Sequence, residues 1–213
     1  MGGRLLVGKS WLALSLALAV SQGRIALGQP KYITNGGKVL YLALEDNPRR
    51  LSFRQNLLLE GFKANQNLVY AINWPRFGKG GLRKIEHWLR KNKDARLVVI
   101  DPLMPVKPVL KKTDNHIGNR LVQLAARHHV CLLAVHDTRQ AGQDRIEDCL
   151  NQYARDTGIA GRPEFSMLLR RAWESDIGTL KIVGRDTEQV VGLDFRPQSG
   201  GWKCLGKGNL CLE

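Results

Sequence analysis

The sequence predicts an α/β fold in which helices cover both faces of a mostly parallel sheet, followed by a C-terminal antiparallel meander. Three observations predict it. As far as residue 135, apolar runs of strand length alternate with stretches of helical spacing. A glycine-rich turn stands directly before the first predicted helix. From residue 165 onward, short strand patterns separated by polar turns replace the helices.

Each element follows from its hydrophobic period and its flanking breakers. Residues 10–21 are apolar almost throughout, as in a buried helix, and Pro48 opens a basic amphipathic helix over residues 48–59. Continuous apolar runs at residues 97–100 and 130–135 predict fully buried strands. Further strands are expected at residues 38–44, 68–72, 165–170, 178–183 and 190–195, and further helices at residues 82–91 and 119–129. No repeat or low-complexity segment interrupts this pattern, so one domain over residues 1–213 is the simplest organisation.

Composition narrows the class of protein and of partner. The 213 residues are 43% hydrophobic and 24% charged, which excludes collagen-like and low-complexity chains. Lysine and arginine number 33 against 19 aspartates and glutamates, leaving a net charge of +14. Such an excess attracts polyanions and raises their encounter rate. Nucleic acid is therefore the leading partner class, and a merely solubilising surface is the alternative.

The four cysteines and the apolar N-terminal run bear on localisation. Cys131, Cys149, Cys204 and Cys211 form no C-x-x-C pair, so neither a metal site nor a redox site has support. The apolar run that begins at Trp11 imitates a secretory signal, yet it follows a phosphate-loop pattern and is far shorter than the ~20 residues of a membrane span. We expect a cytoplasmic protein without a membrane partner, with secretion as the alternative.

The N-terminal segment GRLLVGKS fits the phosphate-loop pattern G-x-x-x-x-G-K-[ST] and opens the first predicted helix. In such loops, backbone N–H groups surround the phosphates of ATP, the lysine reaches the terminal phosphates and the serine binds Mg²⁺. The alternative interpretation is a chance glycine-rich N-cap. The nucleotide-binding residues predicted here are Gly3, Arg4, Leu5, Leu6, Val7, Gly8, Lys9, Ser10 and Trp11.

A buried strand should precede this loop, but only Met1 and Gly2 stand before Gly3. That strand is central in sheets of this class, so its loss leaves backbone groups of the neighbouring strands without partners. The sequence therefore predicts that the N-terminal strand is absent: either another segment fills its position or the chain starts late.

Two acidic residues follow predicted strands. LVVID places Asp101 at the end of a buried strand, where its carboxylate can hold Mg²⁺ together with Ser10. LALED places Glu45 at the same edge of the sheet, as a base that orients the attacking water. In the alternative interpretation, Glu45 or Asp46 only caps the helix that begins at Pro48.

Two further positions follow strands of the predicted sheet. A polar group at His136 can sense the γ-phosphate, although a histidine at a strand end can be purely structural. Arg185 lies in a predicted turn, where arginines are usually solvated.

These segments together, GRLLVGKSWLALSLALAV, KVLYLALEDNPRRL, LVVIDPL, LLAVHDTR and LKIVGRDTE, resemble the RepA-like branch of the RecA-type ATPases, which are akin to the replicative hexameric helicases. The resemblance implies a RecA-like core, a ring of six subunits, ATP and Mg²⁺ at the subunit interfaces and single-stranded DNA in the central channel. It makes Lys9 and Ser10 the phosphate-loop pair, Glu45 and Asp101 the catalytic and magnesium carboxylates, His136 the sensor and Arg185 a finger acting on the neighbouring subunit.

The chain departs from its relatives at two positions. Members of the family that it resembles usually carry two successive histidines where this chain has His136 and Asp137. A carboxylate there would repel a phosphate unless Mg²⁺ or Arg139 intervenes. A polar Gly- and Ser/Thr-rich loop of the relatives is replaced by DTGIAGRP, which makes Arg162 a rival finger.

Two basic loops are expected to face the DNA channel. Their candidate DNA-binding residues are Lys107, Lys111, Lys112, Arg145 and Arg155. The function that the resemblance implies is an ATP-driven helicase or translocase of a plasmid or mobile element, with a replication initiator or primase as a further partner. The alternatives are a ring-forming ATP-binding regulatory or assembly protein without unwinding activity, and an inactive fragment.

Overall fold

The computed structural model describes residues 1–106, 115–138 and 163–205. Helices alternate with strands as far as residue 138, and antiparallel strands follow. The strands are β1 (Gly2–Gly3), β2 (Lys38–Ala43), β3 (Leu68–Ala71), β4 (Ala95–Asp101), β5 (Cys131–Ala134), β6 (His136–Asp137), β7 (Phe165–Arg171), β8 (Ile177–Gly184), β9 (Glu188–Arg196) and β10 (Gly201–Cys204). The helices are α1 (Lys9–Gln22), α2 (Pro48–Leu59), α3 (Gly81–Lys91) and α4 (Asn115–His128).

The strands form two groups that meet at Val135. In the first group all neighbours are parallel, in the order β3-β2-β4-β5. Val135 alone separates β5 from β6, which opens a second group in the order β6-β1-β7-β8-β9-β10. There, β1 pairs in parallel with β6 and β7, and the strands from β7 to β10 are antiparallel. The predicted fold class, a parallel sheet that ends in an antiparallel meander, is confirmed.

Helices cover both faces of the parallel strands because alternate side chains of a strand point to opposite faces. On one face, Leu40 and Ile100 belong to a core with Ile85 of α3 and Leu121 of α4. The opposite face packs against α1 and α2; its core contains Val39, Val99, Ala13, Leu14 and Leu51. Both faces are buried, which explains why β2 and β4 are continuously apolar.

The meander has its own core against the first helix. Leu12 of α1 packs with Leu169, Leu180 and Leu193, and the fully buried ring of Trp202 on β10 completes the cluster. The strand β10 was not among the predicted strands. It extends the antiparallel order because the turn at Gly200 brings Trp202 opposite Phe195 of β9.

The region before the phosphate loop contains a strand of two residues. This strand, β1, lies between β6 and β7. The Met1 carbonyl accepts a hydrogen bond from the His136 backbone N–H at 2.9 Å, and the Gly3 carbonyl accepts one from Thr138 at 2.9 Å. In the part of the chain that the structure describes, no helix is both long enough and apolar enough to cross a membrane.

Candidate nucleotide-binding site

The loop between β1 and α1 requires glycine at both ends. A Cβ on Gly3 would lie 2.6 Å from the Leu169 carbonyl oxygen, so only glycine lets β1 approach β7 this closely. Gly8 has φ of +97°, and a Cβ there would lie 2.9 Å from the Trp202 ring. Trp202 Nε1 donates to the Gly8 carbonyl at 3.1 Å, which ties the end of the loop to the meander. Leu5 and Leu6, in the middle of the loop, are exposed.

The ammonium group of Lys9 is buried at the centre of this loop. The lysine is only 6% exposed, and its Nζ donates to the carbonyls of Gly3, at 2.9 Å, and of Arg4. Asp137 Oδ1 lies 2.6 Å from Nζ, and the aspartate side chain is 43% exposed. A buried ammonium requires such partners because desolvation without them is costly. Asp137, from which the sequence indicated only repulsion of a phosphate, is thus the ion-pair partner of Lys9.

Ser10 and Asp101 lie together beneath the loop. Ser10 Oγ donates to Asp101 Oδ1 at 3.2 Å, and the Tyr41 hydroxyl donates to Oδ2 at 2.6 Å. Burial raises the pKa of Asp101, while the hydrogen bonds from Tyr41 and Ser10 and the charges of Arg54 and Lys9 oppose that rise. The hydroxyl of Ser10 and the carboxylate of Asp101 are the hard oxygen donors that Mg²⁺ prefers. The predicted magnesium pair is therefore brought into contact.

Tyr41 is a site residue that the sequence reasoning missed. It is 2% exposed in the middle of β2, and burial together with the Asp101 carboxylate raises the pKa of its hydroxyl. A tyrosine inside an otherwise apolar buried strand needs a partner for its hydroxyl. The tyrosine in the apolar segment KVLYLAL was therefore the sequence signal that a polar group lies next to this strand.

Glu45 follows β2 at the same edge of the sheet and is exposed. Partial burial and the carboxylates of Asp137 and Asp101 raise its pKa, and Arg50 opposes this. Glu45 follows β2, Asp101 ends β4 and Asp137 ends β6, so all three carboxylates belong to the carboxyl ends of strands. A raised pKa makes the Glu45 carboxylate a stronger proton acceptor.

The neighbours of Glu45 have structural roles. Asp46 forms ion pairs with Arg50 and, at 2.9 Å, with Arg54, so its carboxylate is held by α2. Asn47 is the N-cap of α2, since its side-chain oxygen accepts from the Arg50 backbone N–H at 2.9 Å. The cap is thus Asn47, and Glu45 is left available at the site.

The remaining predicted residues lie in different places. His136 is buried in β6 beside β1. Trp11 is half-buried against the meander core, and the Arg54 guanidinium lies 5.1 Å from its ring. Arg185 is exposed after β8, next to Gly184, which pairs with Phe165 at the start of β7. Since β7 runs parallel to β1, this end of the meander lies at the opposite edge of the sheet from the phosphate loop.

Some predicted residues lie outside the described part of the chain. They are Lys107, Lys111, Lys112, Arg145 and Arg155 of the basic loops, together with Arg139 and Arg162.

Arg171 is a second residue that the sequence reasoning did not single out. It lies at the end of β7 nearest the loop, and its Nη2 donates to the Leu6 carbonyl at 3.5 Å. Its guanidinium also stacks over the ring of Phe195, 4.6 Å from the centroid. The strand pattern of β7 does not indicate that its end lies next to the phosphate loop, so the sequence gives no signal for this contact of Arg171.

Comparison with known proteins identifies a family. A family model described as an AAA domain matches residues 2–143, which include the loop, Glu45, Asp101 and His136. The chain belongs to this family. It is therefore a P-loop ATPase. A separate comparison with curated proteins gives no match.

A solved structure shares the fold. The crystal structure of the RadB recombinase is similar with a TM-score of 0.54, over 95% of this chain and 88% of that chain, at 15% identity. The AAA-domain chain thus has a RecA-like fold, in which the parallel sheet positions the phosphate loop at its carboxyl edge. The residues present fit MgATP: Lys9 suits the phosphates, and Ser10 with Asp101 suits the metal.

The ion pair between Lys9 and Asp137 predicts how the site responds to loss of that carboxylate. Phosphates must take over the Lys9 ammonium and tolerate the negative charge of Asp137. Asp137→Asn removes the charge and keeps an oxygen acceptor, so we expect ATP to bind more tightly by up to roughly 5-fold, given that half-exposed pairs contribute up to about 1 kcal/mol. Equilibrium titration with a fluorescent ATP analogue measures this.

Asp194→Asn is the matched control, because Asp194 pairs with Arg196 in the meander. Unchanged or weaker binding by Asp137→Asn would mean that Asp137 positions Lys9 and does not compete with phosphate.

Proposed function

We propose that this AAA-domain ATPase is an ATP-driven motor on single-stranded DNA, a helicase or translocase of the RepA-like branch. The observation that carries the proposal is the contact of Ser10 with Asp101 beneath the phosphate loop, with Glu45 at the same edge. It supports hydrolysis of ATP and not mere binding. The net charge of +14 supports a polyanionic partner.

The proposed roles of the residues follow from their positions. Lys9 neutralises charge on the terminal phosphates, and Ser10 with Asp101 holds Mg²⁺, whose chemistry when bound is to withdraw charge from the phosphate oxygens. Glu45 accepts a proton from the attacking water. His136, buried beside β1, transmits the state of the site to the segment that follows β6.

Glu45 is tested by removing its basicity alone. Glu45→Gln preserves shape, so we expect ATP to bind with near-normal affinity while steady-state hydrolysis falls by about 10²-fold or more. Lys9→Ala should instead lose nucleotide binding, because the cation at the phosphates is gone. Phosphate release and analogue titration distinguish the two outcomes.

Glu188→Gln is a matched control for Glu45→Gln, since Glu188 pairs with Lys181 in the meander at 2.8 Å. Weakened binding with intact hydrolysis in Glu45→Gln would make Glu45 a structural residue.

The ring is proposed from the position of Arg185. An exposed arginine at the opposite edge from its own phosphate loop supports action on a neighbouring subunit. Arg185→Ala should then lower turnover, by up to about 10³-fold, with ATP affinity nearly unchanged. Mixing Arg185→Ala subunits with Lys9→Ala subunits should restore some hydrolysis, because some interfaces regain both residues. Absence of rescue in mixtures that assemble would exclude Arg185 as the finger and leave Arg162 as the next residue to test.

DNA binding is tested through salt. Replacing Lys107, Lys111 and Lys112 with alanine should reduce the slope of log K against log salt by up to roughly 0.7 per lost phosphate contact. Fluorescence anisotropy with labelled single-stranded DNA and a non-hydrolysable ATP analogue measures the slope.

The matched control replaces three exposed lysines on or near α3, namely Lys79, Lys91 and Lys93. An equal effect of both triple variants would mean that the DNA-binding surface does not include Lys107, Lys111 and Lys112. No binding at low salt would favour the alternative, a ring-forming regulatory ATPase without unwinding activity.

A further inference from the structure

Three side chains of the meander meet beside the phosphate loop. Arg171 ends β7, Phe195 lies on β9 and Trp202 lies on β10. The Arg171 guanidinium lies 4.6 Å from the centroid of the Phe195 ring and 5.9 Å from that of the Trp202 ring. The centroids of the two rings are 5.0 Å apart. Contacts of this kind hold each side chain in one position, and we call the three together the meander stack.

The Trp202 ring reaches the loop because glycine stands on both sides of it. A Cβ on Gly8 would lie 2.9 Å from the ring, and a Cβ on Gly178 of β8 would lie 3.0 Å from it. The ring is buried, and its Nε1 donates to the Gly8 carbonyl at 3.1 Å. The indole is therefore fixed between β8 and the end of the phosphate loop.

The meander stack makes a second contact with the loop at Leu6. The Leu6 carbonyl accepts a hydrogen bond from Arg171 Nη2 at 3.5 Å. Leu6 has φ of +63°, a left-handed conformation that a residue with a side chain keeps only where its surroundings hold it. The Arg171 side chain is 16% exposed, and its Nη1 also donates to the Ser175 carbonyl at 3.4 Å. The guanidinium thus connects the turn between β7 and β8 to the middle of the loop.

These two carbonyls determine where two N–H groups of the loop point. In a trans peptide, the C=O and the N–H point in opposite directions. The Leu6 carbonyl shares its peptide with the Val7 N–H, and the Gly8 carbonyl shares its peptide with the Lys9 N–H. Since α1 begins at Lys9, that N–H has no partner within the helix. With both carbonyls bound to the meander stack, the two N–H groups point away from the meander, where a phosphate can accept from them.

We propose that Arg171 and Trp202 are positioning residues that order the phosphate loop before nucleotide binds. They contact the loop through its carbonyls, so they act on the nucleotide only through the loop backbone. A loop that is already ordered spares the ligand the entropic cost of fixing it, and nucleotide binds more tightly. This role rests on nucleotide binding by the AAA-domain ATPase and does not depend on DNA.

Two variants of the full chain remove one donor each and keep most of the side chain. Trp202→Phe removes the indole Nε1 and keeps an aromatic ring beside Phe195. Arg171→Met removes the guanidinium and keeps an unbranched side chain over the same ring. The order of the Val7 and Lys9 amides is measured by NMR relaxation without nucleotide, and ATP affinity and kcat are measured separately.

Each variant has a matched control that loses the same group elsewhere. Trp74→Phe removes an indole that donates to the Gly81 carbonyl at 3.0 Å, on the face of the sheet that α3 covers. Arg196→Met removes a meander arginine that pairs with Asp194 on β9. Neither control should change the order of the loop amides, the affinity for ATP or kcat.

We expect the order parameters of the Val7 and Lys9 amides to fall from about 0.85 to below about 0.6 in Arg171→Met and in Trp202→Phe. ATP should bind about 2- to 10-fold more weakly to each variant, since one hydrogen bond contributes on this order to an equilibrium constant. At saturating ATP, kcat should stay within about 2-fold of the parent value, because the bound phosphates themselves order the loop.

Unchanged order parameters in both variants would overturn the proposal, even if ATP affinity falls. A lower kcat with unchanged ATP affinity would also overturn it, because the residues would then act on the reaction and not on the loop. If the parent chain binds no ATP, the proposed function fails, while the order parameters still decide the role of the two residues. If Trp202→Phe does not fold, Arg171→Met decides alone.

Discussion

The site depends on the burial of one ammonium group. Lys9 is 6% exposed, and its charge is tolerable only because two loop carbonyls and the Asp137 carboxylate converge on Nζ. Gly3 supplies one of these carbonyls and can do so only because it lacks a Cβ that would meet Leu169. The loop, the short strand β1 and the end of β6 are therefore held together by the group that phosphate must take over, which links the shape of the site to its response to nucleotide.

The parallel order of the strands explains why residues distant in sequence meet. Glu45 follows β2, Asp101 ends β4 and Asp137 ends β6, and parallel strands bring their carboxyl ends to one edge. Burial and the other two carboxylates raise the pKa of Glu45 against the charge of Arg50, and burial raises the pKa of Asp101 against the hydroxyl of Tyr41 and the charge of Lys9. Such a concentration of negative charge suits a site whose ligand brings a divalent cation with its phosphates.

Local sequence patterns predicted most helices and strands, but they did not predict most contacts between residues distant in the sequence. The helix over residues 48–59 was predicted to the residue because Pro48 starts it and Leu51, Gln55 and Leu58 keep helical spacing. The strand β10 was not predicted because a segment of four residues with one buried tryptophan shows no hydrophobic periodicity. The contact of Ser10 with Asp101 is the exception, because the phosphate-loop motif and the buried strand that ends in Asp101 predicted it together. The pairing of Lys9 with Asp137 and the stacking of Arg171 depend on which strand ends become neighbours, and no spacing in the sequence encodes that.

The short strand β1 connects the parallel strands to the meander. Gly2 lies opposite His136 of β6 on one side and Leu168 of β7 on the other, and Gly3 lies opposite Asp137. The Gly3 carbonyl also accepts a hydrogen bond from Lys9 Nζ, and Asp137 is the ion-pair partner of the same ammonium group. The strand pairing that joins the two groups of strands therefore also sets the positions of two of the groups that hold Lys9.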